Sequence, residues 1–254
     1  LPRHLRGIPV QPGHRVSLGE PAGGAAQPRD SVVLTHRPLI AVAALTIALG
    51  LLADRLGGAW GQPLVAVWAW ALCGWLLYHQ AGLRSRLVAC LVIATAGEVV
   101  LSLVWGLYDY RLGNLPLFVP PGHVLLYWLG LQLAERLPGY LLVLTPWLAL
   151  IAVTALALAR LDWLGPPLLL LFFVCLRKGP APRLYVTMFL LSLAMELWGT
   201  WLGNWTWRTS LPGLGWPVCN PPLAAGAFYC VLDVLSEVLC RRRRDVRPEG
   251  SRVY

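Results

Sequence analysis

Charged residues are scarce in this chain of 254 residues. They make up 13% of it, about half of the roughly 25% that is usual in soluble domains, whereas 57% of the residues are hydrophobic and the mean hydropathy is +0.61. A soluble domain of this size could not bury so much apolar surface, and a disordered chain would have the opposite composition. The composition therefore indicates a polytopic membrane protein.

Several short motifs that are typical of metal, phosphate-binding and catalytic sites are also missing. The six cysteines have no C-x-x-C spacing, and most lie in apolar runs, where a buried thiol behaves as a small hydrophobic side chain. This pattern predicts neither a disulfide framework nor a zinc site. The sequence contains no Gly-rich phosphate loop, H-E-x-x-H or G-x-S-x-G motif. We therefore expect no cofactor and no metal.

Apolar runs of about 20 residues, the length at which a helix crosses a bilayer, dominate the chain after its first part. They predict an all-α transmembrane bundle of eight spans, at residues 38–54, 62–79, 86–107, 118–134, 139–159, 161–177, 184–203 and 221–240. Residues 1–37 are rich in Gly, Pro and Arg and are expected to form a disordered cytoplasmic tail without a removable signal peptide. Residues 241–254 are expected to form a basic cytoplasmic tail.

The basic residues indicate how the bundle is oriented. If the N-terminus is cytoplasmic, all but four of the 21 basic residues fall on the cytoplasmic side; the exceptions are Arg55, Arg111, Arg160 and Arg208. This asymmetry is typical of inner-membrane proteins and predicts that both termini are cytoplasmic. The net charge of +9 is thus a topology signal, and we expect no nucleic-acid partner. The run Arg241–Arg244 could contact anionic membrane lipids.

An internal repeat links the third and seventh predicted spans. In each copy a glutamate precedes a glycine by seven or eight positions, and the sequence continues Gly-x-aromatic-x-aromatic-Arg, Leu-Pro and a double proline. The first copy contains Glu98, Gly106, Tyr108, Tyr110, Arg111, Pro120 and Pro121, and the second contains Glu196, Gly203, Trp205, Trp207, Arg208, Pro221 and Pro222. Four spans per period predict two parallel four-helix halves, residues 38–137 and 138–240.

Glu98 and Glu196 are the first candidates for chemistry. An ionisable side chain in an apolar span is costly and suggests function by default. A carboxyl group that burial keeps neutral can donate a proton to an apolar substrate, which is what acid catalysis requires. The alternative is a structural carboxyl group that forms hydrogen bonds with a neighbouring helix.

The repeated aromatic residues are candidates for substrate binding. The alternate spacing of Tyr108 and Tyr110, and of Trp205 and Trp207, places each pair on one side of an extended segment. They either belong to the aromatic belt at the membrane interface or form the wall of a pocket that stabilises a cation.

Polar residues of the outer loops add further candidates. Arg111 and Arg208 either bind a phosphate or carboxylate group or pair with a local acid such as Asp109. Asn114 and Asn220 lie in the same loops and complete the predicted substrate-binding set. His123 is either a proton carrier or a polar tip at the interface, and the second copy has Ala224 in its place.

The eighth predicted span carries two acids four positions apart. Asp233 is the deeper one and is a candidate third acid. Glu237 is expected to pair with Arg241, because residues four apart lie on the same face of a helix.

The repeat resembles the membrane hydratases of carotenoid biosynthesis, the bisanhydrobacterioruberin hydratase-like proteins. The similarity covers Glu98 to Pro121 and, more loosely, Glu196 to Pro222, about a fifth of the chain. The second copy has tryptophans in place of the tyrosines and lacks the histidine, and the family's Phe-Gly before the tyrosines is absent.

The resemblance implies an isoprenoid or polyene substrate and acid-catalysed hydration or isomerisation of a double bond. Glu98 or Glu196 would be the acid, Asp109 or His123 would orient the water, and the four aromatic rings would face the cation. Two other classes fit the sequence. One is a proton-coupled transporter or lipid carrier, and the other is a membrane scaffold or assembly protein without chemistry.

Overall fold

The computed structural model describes residues 29–245, and it describes side chains for residues 37–240. The chain divides into two units, residues 1–36 and residues 37–254, and the side-chain contacts described below lie in the second. The first helix begins at Arg29, inside the segment that we expect to be a tail. Residues 1–28 of that predicted tail and residues 246–254 of the basic tail lie outside the described part of the chain.

The described chain is helical, as predicted, with a very small sheet. The helices are α1 (Arg29–Leu56), α2 (Gly58–His79), α3 (Arg84–Glu98), α4 (Val119–Ala134), α5 (Gly139–Leu158), α6 (Gly165–Lys178), α7 (Pro182–Leu202) and α8 (Ala227–Asp245). A π-helical segment, Val99–Val104, continues α3. Two short strands, β1 (Tyr108–Tyr110) and β2 (Trp205–Trp207), pair with each other.

In the described part of the chain, five helical segments are long and apolar enough to cross a membrane. They are Arg37–Leu56, Gly58–His79, Arg84–Val104, Gly139–Leu158 and Pro182–Leu202. These segments are what a multi-pass integral membrane protein needs. By contrast, α4 and α6 have only 16 and 14 residues. The expected total of eight spans therefore stays a prediction.

Helices α3, α4, α7 and α8 form the centre of the bundle. Helix α3 packs against α4 and α8, and α7 packs against the same two helices. These helices carry several of the largest fully buried side chains, including Tyr127, Trp128 and Phe189. Helix α1 is held from its flank, where the indole N–H of Trp198 donates to the carbonyl oxygen of Ala48 at 3.0 Å.

Each strand leaves its helix through a glycine with positive φ. In the second copy, α7 remains α-helical up to Leu202 and ends at Gly203, whose φ is +74°. The first copy has one more residue between its glutamate and its glycine, and the π-helical segment accommodates it before Gly106, whose φ is +70°. Glycine adopts this conformation without the clash that a Cβ atom would cause. Both strands therefore start from equivalent turns.

The two repeated segments pair with each other in antiparallel register. Tyr108 lies opposite Trp207 and Tyr110 opposite Trp205, so Asp109 faces Thr206 at the centre. Beyond the strands, the N–H of Arg111 donates to Asn204 and the N–H of Arg208 donates to Leu107, both at 2.9 Å. In the repeat alignment, each of these two bonds is the counterpart of the other. The pairing is therefore symmetric about its centre.

Candidate functional site

The aromatic residues of both strands point to one face of the sheet. Tyr108, Tyr110, Trp205 and Trp207 are buried, whereas Asp109 and Thr206 on the other face are exposed. The rings contact each other across the strands, with centroids 4.7 Å apart for Tyr108 and Trp207. The alternation that the spacing predicted is therefore present. The four rings line a cavity and do not form part of an exposed belt.

Glu98 lies beneath β1 and accepts hydrogen bonds from its own aromatic pair. Its Oε2 atom accepts from the hydroxyl groups of Tyr108 at 2.8 Å and Tyr110 at 2.7 Å. Burial raises the pKa of both phenols, and the nearby Glu98 carboxylate raises it further. Both tyrosines therefore remain neutral hydrogen-bond donors at physiological pH.

His123 holds the other oxygen of this carboxyl group. Its Nε2 atom lies 3.2 Å from Oε1 of Glu98, and its Nδ1 atom lies 2.9 Å from the carbonyl oxygen of Val119. A carbonyl oxygen can only accept, so we assign a proton to Nδ1. Nε2 then either donates to a carboxylate or accepts from a carboxylic acid. In both cases the two side chains share one proton across a short contact.

Glu196 has the same arrangement beneath β2, with indoles in place of phenols. Its Oε2 atom accepts from the Nε1–H groups of Trp205 at 2.8 Å and Trp207 at 2.9 Å. Its other oxygen receives no hydrogen bond from the residues that the structure describes, and the half-buried side chain lines the cavity. Ala224 stands where a second histidine would be needed. The two glutamates therefore accept hydrogen bonds from their aromatic pairs in the same way, but only Glu98 also contacts a histidine.

The cavity has a volume of about 250 Å³ and lies between the sheet and α1, α2, α3, α4, α7 and α8. Its polar groups, including Glu98, Glu196 and His123, gather beneath the strands, which we call the sheet end. Away from that end the lining is almost entirely apolar, with residues such as Ile47, Ile93, Leu125 and Leu232. In the described part of the chain, no group of three or more His, Cys, Asp or Glu side chains could hold a metal ion.

Arg111 is part of a buried ion pair outside the cavity. Its guanidinium group donates to the carboxylate and to the carbonyl oxygen of Asp54, both at 2.8 Å, and Asp54 is only 1% exposed. The amide of Asn204 also donates to the Asp54 carboxylate. This contact joins the end of α1 to both strand segments.

The remaining loop candidates hold the outer segments in place. Arg208 pairs with Asp109 at 3.2 Å, and both side chains are more than half exposed. The amide of Asn114 donates to Gln62 at 3.1 Å, and Oδ1 of Asn220 accepts from the main chain of Trp207 at 2.9 Å. The structure does not bring these residues, or Arg111, to the cavity. Of the two candidates for orienting water, only His123 contacts a glutamate.

Sequence reasoning missed Tyr229, which lines the cavity, and Asp54, which holds the strand segments outside it. The ring of Tyr229 stacks on His123, with centroids 5.3 Å apart and an angle of 14° between the planes. Tyr229 follows the double proline of the second copy, and that position in the repeat was its only signal. Asp54 is a single acid at the end of an apolar run, a pattern that predicts a buried partner.

Asp233 and Glu237 form a separate cluster with α3 and α4. The Asp233 carboxylate accepts from Arg86 at 2.7 Å and from the hydroxyl group of Tyr127, while Glu237 lies 3.6 Å from the Arg86 guanidinium. Asp233 does not line the cavity. The side chain of Arg241, the expected partner of Glu237, lies outside the described residues.

No protein-family model, curated protein or solved structure matches this chain.

Proposed function

We propose that this protein is an integral membrane enzyme that adds water to a carbon–carbon double bond of a lipophilic isoprenoid or polyene. The observation that carries the proposal is a pair of glutamates at the polar end of an apolar cavity. Only one of the two, Glu98, contacts a histidine. An apolar cavity with a few convergent polar groups is the usual form of a small-molecule site. The resemblance of the repeat to carotenoid hydratases supports the same class of substrate.

Glu196 is the proposed acid. One of its oxygens is held by Trp205 and Trp207, and the other is free of hydrogen bonds from the described residues and borders the cavity. No cationic side chain contacts it in the described part of the chain, whereas Glu98 shares a proton with His123. Two carboxyl groups in such different environments can take different roles in one reaction.

The reaction balances with one proton donor and one water molecule. The Glu196 hydroxyl group protonates one alkene carbon, the π electrons form the new C–H bond, and the other carbon becomes a cation that the aromatic rings stabilise. Water then forms a C–O bond with the cation, and the proton that it loses returns to the Glu196 carboxylate. The pair formed by Glu98 and His123 orients this water. The net change is the addition of one water molecule.

The membrane arrangement belongs to the same proposal. The basic residues favour cytoplasmic termini in a plasma membrane, with the sheet end of the cavity toward the opposite side. The symmetric register of β1 and β2 supports two parallel halves related by a local twofold axis. Such an axis would pass between Asp109 and Thr206.

Labelled water tests the proposed reaction directly. Membranes from cells that produce the wild type are incubated in water carrying heavy oxygen, and their apolar lipids are analysed by mass spectrometry. We expect a lipid that has gained one labelled water molecule. Glu196→Gln should lower its rate of formation by about 100-fold or more, since general acids contribute about that much. The matched control is Glu135→Gln, the same chemical change at an exposed position after α4.

Other outcomes distinguish the alternatives. If the lipid takes up deuterium from heavy water but no labelled oxygen, the reaction is isomerisation and not hydration. Product formation that survives in the Glu98→Gln/Glu196→Gln double variant would contradict the catalytic proposal. Lipid-dependent proton movement in vesicles without any new lipid would favour the transporter, and no effect of any glutamate variant would favour the scaffold.

A further inference from the structure

The cavity is elongated along one face of α8. Its lining on this side consists of Ala225, Phe228, Tyr229, Val231, Leu232 and Leu235. Within α8 the lining runs from Phe228 to Leu235, and seven positions along a helix correspond to about 10 Å. The polar groups lie at the sheet end, and the other end is bordered by apolar side chains of α1, α3 and α8. The cavity therefore has one polar end and one apolar end.

The apolar end reaches the flank of the bundle between α1 and α8. Leu235 lines the cavity and is 45% exposed, and Thr46 and Ile47 on the other side are half-buried. Thr46 and Ile47 of α1 border the same cavity as Leu232 and Leu235 of α8. The opening thus faces sideways, toward the place that bilayer hydrocarbon would occupy.

The size of the cavity limits how much of a lipid it can enclose. About 250 Å³ is less than the roughly 300–1,000 Å³ of pockets that enclose a drug-sized ligand. Gly97 and Gly122 preserve space in it, since a Cβ atom at either position would meet nothing within 4 Å. A longer molecule must therefore leave part of its chain outside, in the lateral opening.

We infer that a single-chain lipophile enters sideways between α1 and α8, with one end beneath the sheet and the rest of its chain along the opening. The inference rests on the proposed function in taking this cavity as the substrate site, but not on the reaction itself. One polar end suits a molecule with one reactive or polar terminus. A cavity of only about 250 Å³ suits a single chain and is too small for both chains of a phospholipid.

Binding of tritiated geranylgeraniol, a linear isoprenoid alcohol, to the purified full chain tests the inference. Leu235→Trp should weaken binding by about tenfold, because the larger side chain obstructs the opening. Val238→Trp is the matched control, since Val238 lies on the same helix, is also 45% exposed and does not line the cavity.

A second pair of variants keeps the test decisive if Leu235→Trp does not fold. Gly122→Leu fills the cavity and should also weaken binding, whereas Gly74→Leu places the same side chain at an exposed helical position with open space around it. The inference is wrong if the wild type does not bind geranylgeraniol, if the control variants lose binding equally, or if dioleoylphosphatidylglycerol competes as well. If geranylgeraniol binds but the heavy-oxygen experiment yields no hydrated lipid, the inference is upheld and the hydration proposal is contradicted.

Discussion

The imidazole of His123 lies with its Nε2 atom 3.2 Å from Oε1 of Glu98, and this contact joins α4 to α3 at the polar end of the cavity. The second half of the molecule has no equivalent, because Ala224 replaces the histidine. Two glutamates that are otherwise held alike thereby acquire different environments. That difference is the basis for assigning Glu196 as the acid and the pair of Glu98 and His123 as the group that orients water.

His123→Gln should lower the rate of labelled-lipid formation by about 100-fold. Glutamine can still form a hydrogen bond but cannot carry the proton that the imidazole shares with Glu98. Asp109→Asn should leave the rate within about twofold of the wild type, because Asp109 lies on the exposed face of β1. Equal losses in the two variants would remove His123 from its proposed role.

Arg111→Leu should destabilise the protein by about 3–5 kcal/mol, because it leaves the buried Asp54 carboxylate without its cation. Arg208→Leu, the counterpart in the second copy, should cost at most about 1 kcal/mol, because its pair with Asp109 is solvent-exposed. The free energy of unfolding, measured by SDS titration of the purified protein, distinguishes the two. Similar values for both would show that burial of the Asp54 pair is not the deciding factor.

Gly203→Ala should lower stability by about 1–2 kcal/mol, since its φ of +74° is unfavourable for a residue with a Cβ atom. Gly106→Ala should do the same at the equivalent turn. Gly74→Ala is the control: Gly74 lies in regular α2 with open space around it, and alanine there should raise stability by about 0.5–1 kcal/mol. Thermal unfolding of the three variants shows whether each substitution lowers or raises stability as predicted. If Gly74→Ala lowered stability as much as Gly203→Ala, the positive φ of Gly203 could not be the cause.

Asp162→Asn should stabilise the protein near neutral pH. Burial raises the pKa of this carboxyl group above its ordinary value of 3.8, despite the hydrogen bonds from the main chain of Gly165 and Leu164. A raised pKa means that the folded state favours the protonated form, so this group's contribution to stability is full below pH 3.8 and declines as pH rises through the folded pKa. Asparagine keeps the acceptor for the start of α6 and avoids the buried charge.

The measurement for Asp162 is the unfolding midpoint of both proteins as a function of pH. The advantage of the asparagine variant should be largest at neutral pH and should shrink toward acid. An advantage that is constant across this range would contradict the titration argument.

Most helices could be located from the sequence because each contains a long apolar run. The expected fifth and seventh spans, 139–159 and 184–203, correspond closely to Gly139–Leu158 and Pro182–Leu202. The start of α6 was misplaced: the helix begins at Gly165 and not at 161, because Asp162 accepts the first main-chain N–H groups. Helix α8 begins at Ala227 and not at 221, since turns follow the double proline.

By itself the sequence determined the apolar helices, the basic asymmetry and the repeated glutamates and aromatic residues, because these are local patterns of composition and spacing. Only the tertiary structure decided that β1 pairs with β2, that Arg111 pairs with Asp54 and not with Asp109, and that His123 contacts Glu98. These contacts join residues that lie 25 to 99 positions apart along the chain. Partners at such distances are chosen by how the helices pack, and no local pattern encodes that choice.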